Sequence, residues 1–486
     1  MTQTHPSSRP PAALPTYSPQ RGDLLGRALL LVVAAAVLLV SLPVMIEGAP
    51  LHDDYLSCLS SQEGLVEFLG ETTDFYGLVR PARLLEISTI SGLCHTVPFG
   101  FVIAIPLALT LLCALLLRRL LLDLDIPAPW PHVAASAWLL YPLGTESSLW
   151  PSALHIPLGL CFSLAALLCF RRARVTIGVL LTFASVLSME QLLFALPIAA
   201  FLVSPRPTRR KATIASGIVC LFVLSVYAAG SGQDPRAATS VADRFRNVFS
   251  GLDFYVLSPP AALGGYSVPA GVLWAFPWSL IALVAGGAFG AFIGRQVAAP
   301  ARYESAPLLP AIAWGLALLA AVNLPLAVTL PHQDSPRVFA PTWMILAVGI
   351  GVLGPRLLVR RGFIVAALAG MLAAGALISQ AFSVWVRVET ATSTERAFTF
   401  LSERVPEGGV IAMCNVQRSV IDGAPPGDFA AHEFLGDGTL QTEFAEPAFL
   451  YHSGRRAEFR LPGLQEECPD TEDADIVVDF ARLLSP

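Results

Sequence analysis

The stretch best equipped for chemistry is His52-Asp53-Asp54-Tyr55, where two adjacent carboxylates follow directly on an apolar run from Leu24 to Ile46. A carboxylate within hydrogen-bond reach of a hydroxyl can take its proton as a general base. Adjacent side chains in an extended segment point to different sides, so one aspartate is expected to act as base and the other to be structural. The competing reading is a solvated helix end with no chemistry. Other ionisable residues bear on the choice: Arg80, Arg83, His95, His155, Glu190, His332, Asp334 and Arg337 are spaced along the chain. Whether they meet depends on the elements between them.

Those elements are apolar runs. A helix needs about 20 apolar residues to cross the hydrocarbon core of a bilayer. The chain of 486 residues, 54% hydrophobic and 14% charged, offers that length repeatedly and leaves too little polar surface for a soluble protein. An all-α polytopic membrane protein is expected, with helices near 24–46, 98–117, 128–143, 154–170, 175–188, 191–204, 212–230, 270–294, 306–330, 338–355 and 362–384. That makes about eleven crossings. Arg118-Arg119, Arg171-Arg172 with Arg174, Arg206 with Arg209-Arg210-Lys211, Arg295 with Arg302, and Arg356 with Arg360-Arg361 fall on alternate loops. Excess Arg and Lys mark cytoplasmic loops, so the N-terminus is expected in the cytoplasm and the C-terminus outside. Residues 1–20 read as a disordered tail rich in Pro, Ser and Thr. The first run reads as a retained anchor rather than a signal peptide, because it is long and Glu47 follows it with no small-residue cleavage site. One Lys against thirty Arg, with much Ala, Leu, Gly and Pro, suggests GC-rich bacterial coding and hence an inner membrane.

On that topology the first outer loop, 47–97, is too long for a passive link. Its runs Gly64–Leu69 and Pro81–Ile87 mix apolar and polar residues as interfacial helices do. Cys58 and Cys94 share this loop, and Cys414 and Cys468 share the outer C-terminal segment. Each pair reads either as a disulfide or as small buried apolar residues. Residues 387–486 carry eighteen acidic residues against eight Arg and two β-like runs, Gly409–Met413 and Ile476–Val478. A small α/β domain is expected there, its acidity serving solubility or gathering a cationic partner.

No apolar run carries an ionisable residue near its centre, which argues against proton-coupled pumps and ion carriers. Paired broken spans of an inverted repeat are not apparent either. The ionisable residues gather on the outer face instead.

An acidic pair beyond the first span, juxtamembrane helices in the next loop, many spans and an outer C-terminal domain resemble the membrane glycosyltransferases of the GT-C class, the bacterial protein mannosyltransferases among them. Phe75-Tyr76 through Arg80-Pro81 is similar to the aromatic and Arg-Pro element in the first loop of bacterial members. Trp150-Pro151-Ser152-Ala153-Leu154-His155 stands where they carry a Trp-x-Ser element. Ser188-Met189-Glu190 with Pro197 resembles their Ser-Lys-Glu element, with Met189 departing from the usual Lys. Ser335-Pro336-Arg337-Val338-Phe339 with Pro341 resembles a late Arg-aromatic-Pro element. The resemblance covers roughly residues 24–355.

It implies transfer of a sugar from a polyprenyl phosphate donor to an extracytoplasmic acceptor, a glycan, lipid or protein hydroxyl. No nucleotide reaches such a site, and neither a P-loop nor a Rossmann signature is present. Asp53 or Asp54 would receive the acceptor's proton. The departing lipid phosphate would be held by a guanidinium, which can bond two of its oxygens: Arg337 first, Arg80 second, with Arg83 beside it. Tyr55, Trp150, His155, Glu190, His332 and Asp334 would bind substrate. A divalent metal beside the carboxylates stays open, because no tight ligand spacing is present. Nucleic acid is not an expected partner, whereas membrane lipid is. Plain structural roles exist for several of these residues, since Arg337 can snorkel to headgroups and Trp150 fits an aromatic belt. Three rival functions stand beside transfer. A lipid-linked glycan flippase needs a polar path, and the spans offer only scattered Ser, Thr and Asn323. An assembly protein does not need Asp, Glu, His and Arg on one face. A surface polysaccharide polymerase or ligase would place its basic residues in a larger late loop.

Overall fold

A computed structural model describes residues 19–48, 50, 54–55, 57–58, 81–94, 96–141, 145–230, 275–296, 308–325, 340–414, 446, 449–460, 468, 471 and 473–479. These residues are mostly helical, with one small sheet. The chain order is α1 (Pro19–Glu47), α2 (Pro81–Cys94), α3 (Phe99–Asp123), α4 (Trp130–Leu139), α5 (Thr145–Leu149) and α6 (His155–Arg171). Then come α7 (Val175–Ser188), α8 (Ala195–Val203), α9 (Arg206–Gly230), α10 (Trp278–Gln296), α11 (Leu308–Asn323) and α12 (Ala340–Ser402). The sheet is β1 (Val410–Cys414), β2 (Glu458–Arg460) and β3 (Ile476–Asp479).

Among the described residues, four segments are long and apolar enough to cross a membrane: Gly22–Glu47, Phe99–Asp123, Pro151–Arg171 and Phe363–Trp385. Shorter apolar helices are Val175–Ser188, Trp278–Gly294, Leu308–Asn323 and Ala340–Pro355. These lengths do not confirm the expected number of about eleven crossings. Expected spans 128–143 and 191–204 contract to α4, ten residues, and α8, nine residues. At 1.5 Å per residue each reaches roughly half of a 30 Å hydrocarbon core. Many large apolar side chains face outward, Leu31, Leu39, Phe101, Leu180, Leu221, Trp278, Leu309 and Leu372 among them. Such a surface is unsuited to water and compatible with a membrane protein.

The helices pack through small residues. α1 ends at Gly48, whose φ of +62° and N–H to Val44 O bond of 2.9 Å make a left-handed cap. Gly100, at the start of α3, lies so close to Met45 O that any Cβ there would collide with it. Gly290 of α10 meets Ala366 O of α12 in the same way, the close backbone approach that small residues permit between membrane helices.

α12 is helical over 63 residues, yet it is not a straight rod. Trp343 Nε1 donates to Ala137 O at 2.8 Å and Gln380 Nε2 donates to Leu139 O at 2.9 Å. A straight helix would hold those two residues roughly 55 Å apart. Gly351 and Gly354 lie against Trp130, at the other end of α4. The chain therefore passes along α4, turns back between Gly354 and Gln380, and returns, which keeps the two expected segments 338–355 and 362–384 as two arms.

Beyond the second arm, the sheet has the order β2-β1-β3 with both pairings parallel. Central β1 reads Val-Ile-Ala-Met-Cys and is buried after its first residue, as a covered parallel strand should be. Phe398, Phe449 and Phe459 pack edge to face beneath it. Both cysteine alternatives resolve as disulfides, Cys58–Cys94 and Cys414–Cys468.

Candidate functional site

The acidic segment after α1 reaches across two regions within two residues. Asp54 is fully buried. Its Oδ1 accepts from the Ser152 backbone N–H at 3.1 Å and from Ser152 Oγ at 2.7 Å. Its Oδ2 lies 3.6 Å from Nη2 of Arg387, a guanidinium only 12% exposed. A buried carboxylate is tolerated only when paired and hydrogen-bonded, and Ser152 and Arg387 meet both needs. Ser152 stands in the short 3₁₀ turn Pro151–Ala153, inside the Trp150–His155 element.

Tyr55, expected to bind substrate, instead sits fully buried in the apolar cluster of the sheet region with Phe398, Ile411 and Phe449. Its Oη and Nε2 of His452 share a hydrogen bond at 3.0 Å, and its ring meets Tyr451 edge to face at 5.4 Å. Burial pushes the Tyr55 hydroxyl well above its ordinary value, aided by Tyr451 and Asp54 nearby. Burial also pulls His452 down from 6.5 to about 4, so this imidazole is neutral at neutral pH.

Of the other expected residues, Trp150 precedes the 3₁₀ turn and His155 opens α6. One turn into α6, Gly159 packs against Met189, the residue before Glu190, and Glu190 opens a second 3₁₀ turn, Glu190–Leu192. Asp54, Trp150, His155 and Glu190 thus share one end of the helical layer. Arg83 lies in α2, which contacts the Ser152 turn and whose Cys94 is bonded to Cys58. His52, Asp53, Arg80, His95, His332, Asp334 and Arg337 fall outside the described residues. Among the described residues no three His, Cys, Asp or Glu side chains converge as a metal ion requires.

Sequence reasoning missed Ser152 as a partner, Arg387 and His452. Arg387 had a readable signal, because it is the first cation after the 362–384 span and falls on the same expected face as the aspartate pair. His452 had none. The arrangement clamps the backbone beside Asp53 while consuming both oxygens of Asp54. Compared with known proteins, the chain matches no family model, no curated protein and no solved structure.

Proposed function

We propose that this chain is an integral membrane glycosyltransferase of the GT-C kind. It takes a sugar from a polyprenyl phosphate donor and passes it to a hydroxyl on the extracytoplasmic face of a bacterial inner membrane. The observation that supports this reading is the clamp on Asp54. A helix exit with no chemistry would leave its carboxylates in solvent, whereas Asp54 is buried between Ser152 of the Trp-x-Ser-like element and Arg387.

The clamp divides labour within the pair. Asp54 is the positioning residue, both of its oxygens engaged, and Asp53 is the base that receives the acceptor's proton. Arg337, with Arg80 and Arg83, holds the phosphate as its charge grows. His155, Glu190 and Trp150, gathered at the same end, line the sugar's approach, with His332 and Asp334 completing it. A metal ion is not required by this scheme.

The test is sugar transfer from radiolabelled polyprenyl phosphate donors in membranes. Asp53→Asn should lower turnover by about a hundredfold or more with folding intact. Wild-type turnover in that variant would remove Asp53 as base, and no transfer by the wild type across donors and acceptors would overturn the reading itself.

A further inference from the structure

A small cavity lies between α1, α3, α4, α5 and α12, lined by Val37, Ser41, Thr110, Trp138, Ser147 and Gln380 among others. Its volume is about 20 Å³, which is room for one water molecule. Gln380 is only 5% exposed. Its Nε2 donates to Leu139 O at 2.9 Å and to Tyr141 O at 2.8 Å. Two carbonyls facing one end of an amide fix which end is nitrogen, so the orientation is not free to invert. Oε1 is left buried without a hydrogen-bond partner.

Three of the neighbouring donors are already committed. Ser41 Oγ donates to Val37 O at 2.8 Å, Thr110 Oγ1 to Pro106 O at 2.9 Å, and Trp138 Nε1 to Thr110 O at 3.0 Å. The cavity therefore presents the buried acceptor Gln380 Oε1 among hydroxyl groups, none of them charged. A buried acceptor without a donor costs about 1–3 kcal/mol, and small polar cavities hold water that supplies the missing bond. We propose that this cavity is a binding site for a single O–H donor to Gln380 Oε1, and that its size selects a water molecule. Gln380 and Arg387 are seven residues apart on one helix, so they share a face about two turns apart. The bound donor thereby steadies the stem from which Arg387 reaches Asp54. This inference does not rest on glycosyl transfer.

The first test is a density map of the full chain in lipid nanodiscs at a resolution that shows ordered water. A compact peak about 3 Å from Gln380 Oε1 is the expected result. Density continuing from that peak into a longer molecule upholds the site and assigns the hydroxyl to a bound lipid or detergent. An empty cavity, or Oε1 bonded to a protein donor, overturns the proposal. The second test is Ser41→Thr, which keeps the hydroxyl and adds a methyl to the cavity wall. Expelling a bound water should lower the melting temperature by about 2 °C or more. A rise, the result for filling a dry void, overturns it.

Discussion

Aspartate meets arginine at both ends of the helical layer, and the two ends use the pair differently. α3 connects them, with Gly100 beside the end of α1 and Asp123 about 35 Å away along its axis. At the Asp123 end the pairs are short and wet. Arg172 Nη2 lies 2.8 Å from Asp123 Oδ2, with the guanidinium 45% and the carboxylate 15% exposed, and Arg171 lies 3.3 Å from an Asp125 that is 90% exposed. At the other end the Arg387–Asp54 pair is longer, 3.6 Å, but 12% and 0% exposed. Distance alone would rank the first end stronger. Burial reverses the ranking, because water screens the short pairs and nothing replaces the long one if a partner is lost.

The sharpest way to break this comparison is Arg387→Met, which leaves Asp54 buried without its cation. We expect a loss of about 3–5 kcal/mol, read as a lowered denaturation midpoint, together with loss of transfer. The Asp54→Asn/Arg387→Met double variant should recover part of the stability, since the uncompensated charge is gone. A single variant as stable as the wild type would show that the pair does not hold the loop.

A smaller effect is expected one residue along. Tyr55→Phe removes the hydroxyl facing His452 and should cost about 1 kcal/mol. The same contact predicts a pH dependence. The folded value of His452 is depressed from 6.5 to about 4, so between those values the unfolded chain binds more protons. Stability is then fully present above about pH 6.5 and falls as pH drops toward 4. The protection factors of the β1 and β3 amides, corrected for the intrinsic pH dependence of exchange, should fall from pH 7 to pH 5, and His452→Gln should flatten that change. Equal slopes in the two proteins would remove His452 as the cause.

The smallest effect belongs to the exposed end. Asp125→Asn, at a carboxylate 90% exposed, should cost about 1 kcal/mol or less, and the difference should vanish in 1 M salt, where the screening length is about 3 Å. A loss as large as that of Arg387→Met would erase the distinction between the ends.

How far the sequence foretold these features follows from the range of the forces involved. α7 was legible to the residue, Val175–Ser188, because a local apolar run is bounded by Arg174 and by Met189-Glu190. β1 and β3 were legible as β-branched apolar runs. β2 was not, since Glu458-Phe459-Arg460 has three residues and only one apolar, too little for a periodic signal. The number of crossings is not confirmed, because hydropathy counts apolar residues and does not distinguish a span from a short helix packed among others, as α4 and α8 are. At the site, Asp54 was visible as a type at a helix exit. Its tie to Ser152, 98 residues away, and its pairing with Arg387 are products of tertiary packing, which no local pattern encodes.

Asp54 and Tyr55 are consecutive, one bonded to the helical layer and the other set in the core beneath the sheet. Their Cα atoms are about 3.8 Å apart across one peptide bond, a link that cannot stretch. The two regions are thus held together at this bond as well as through α12, whose Phe398 and Leu401 enter the core beneath the sheet. Any rocking of the sheet against the helices must pivot near that bond or tear one anchor free.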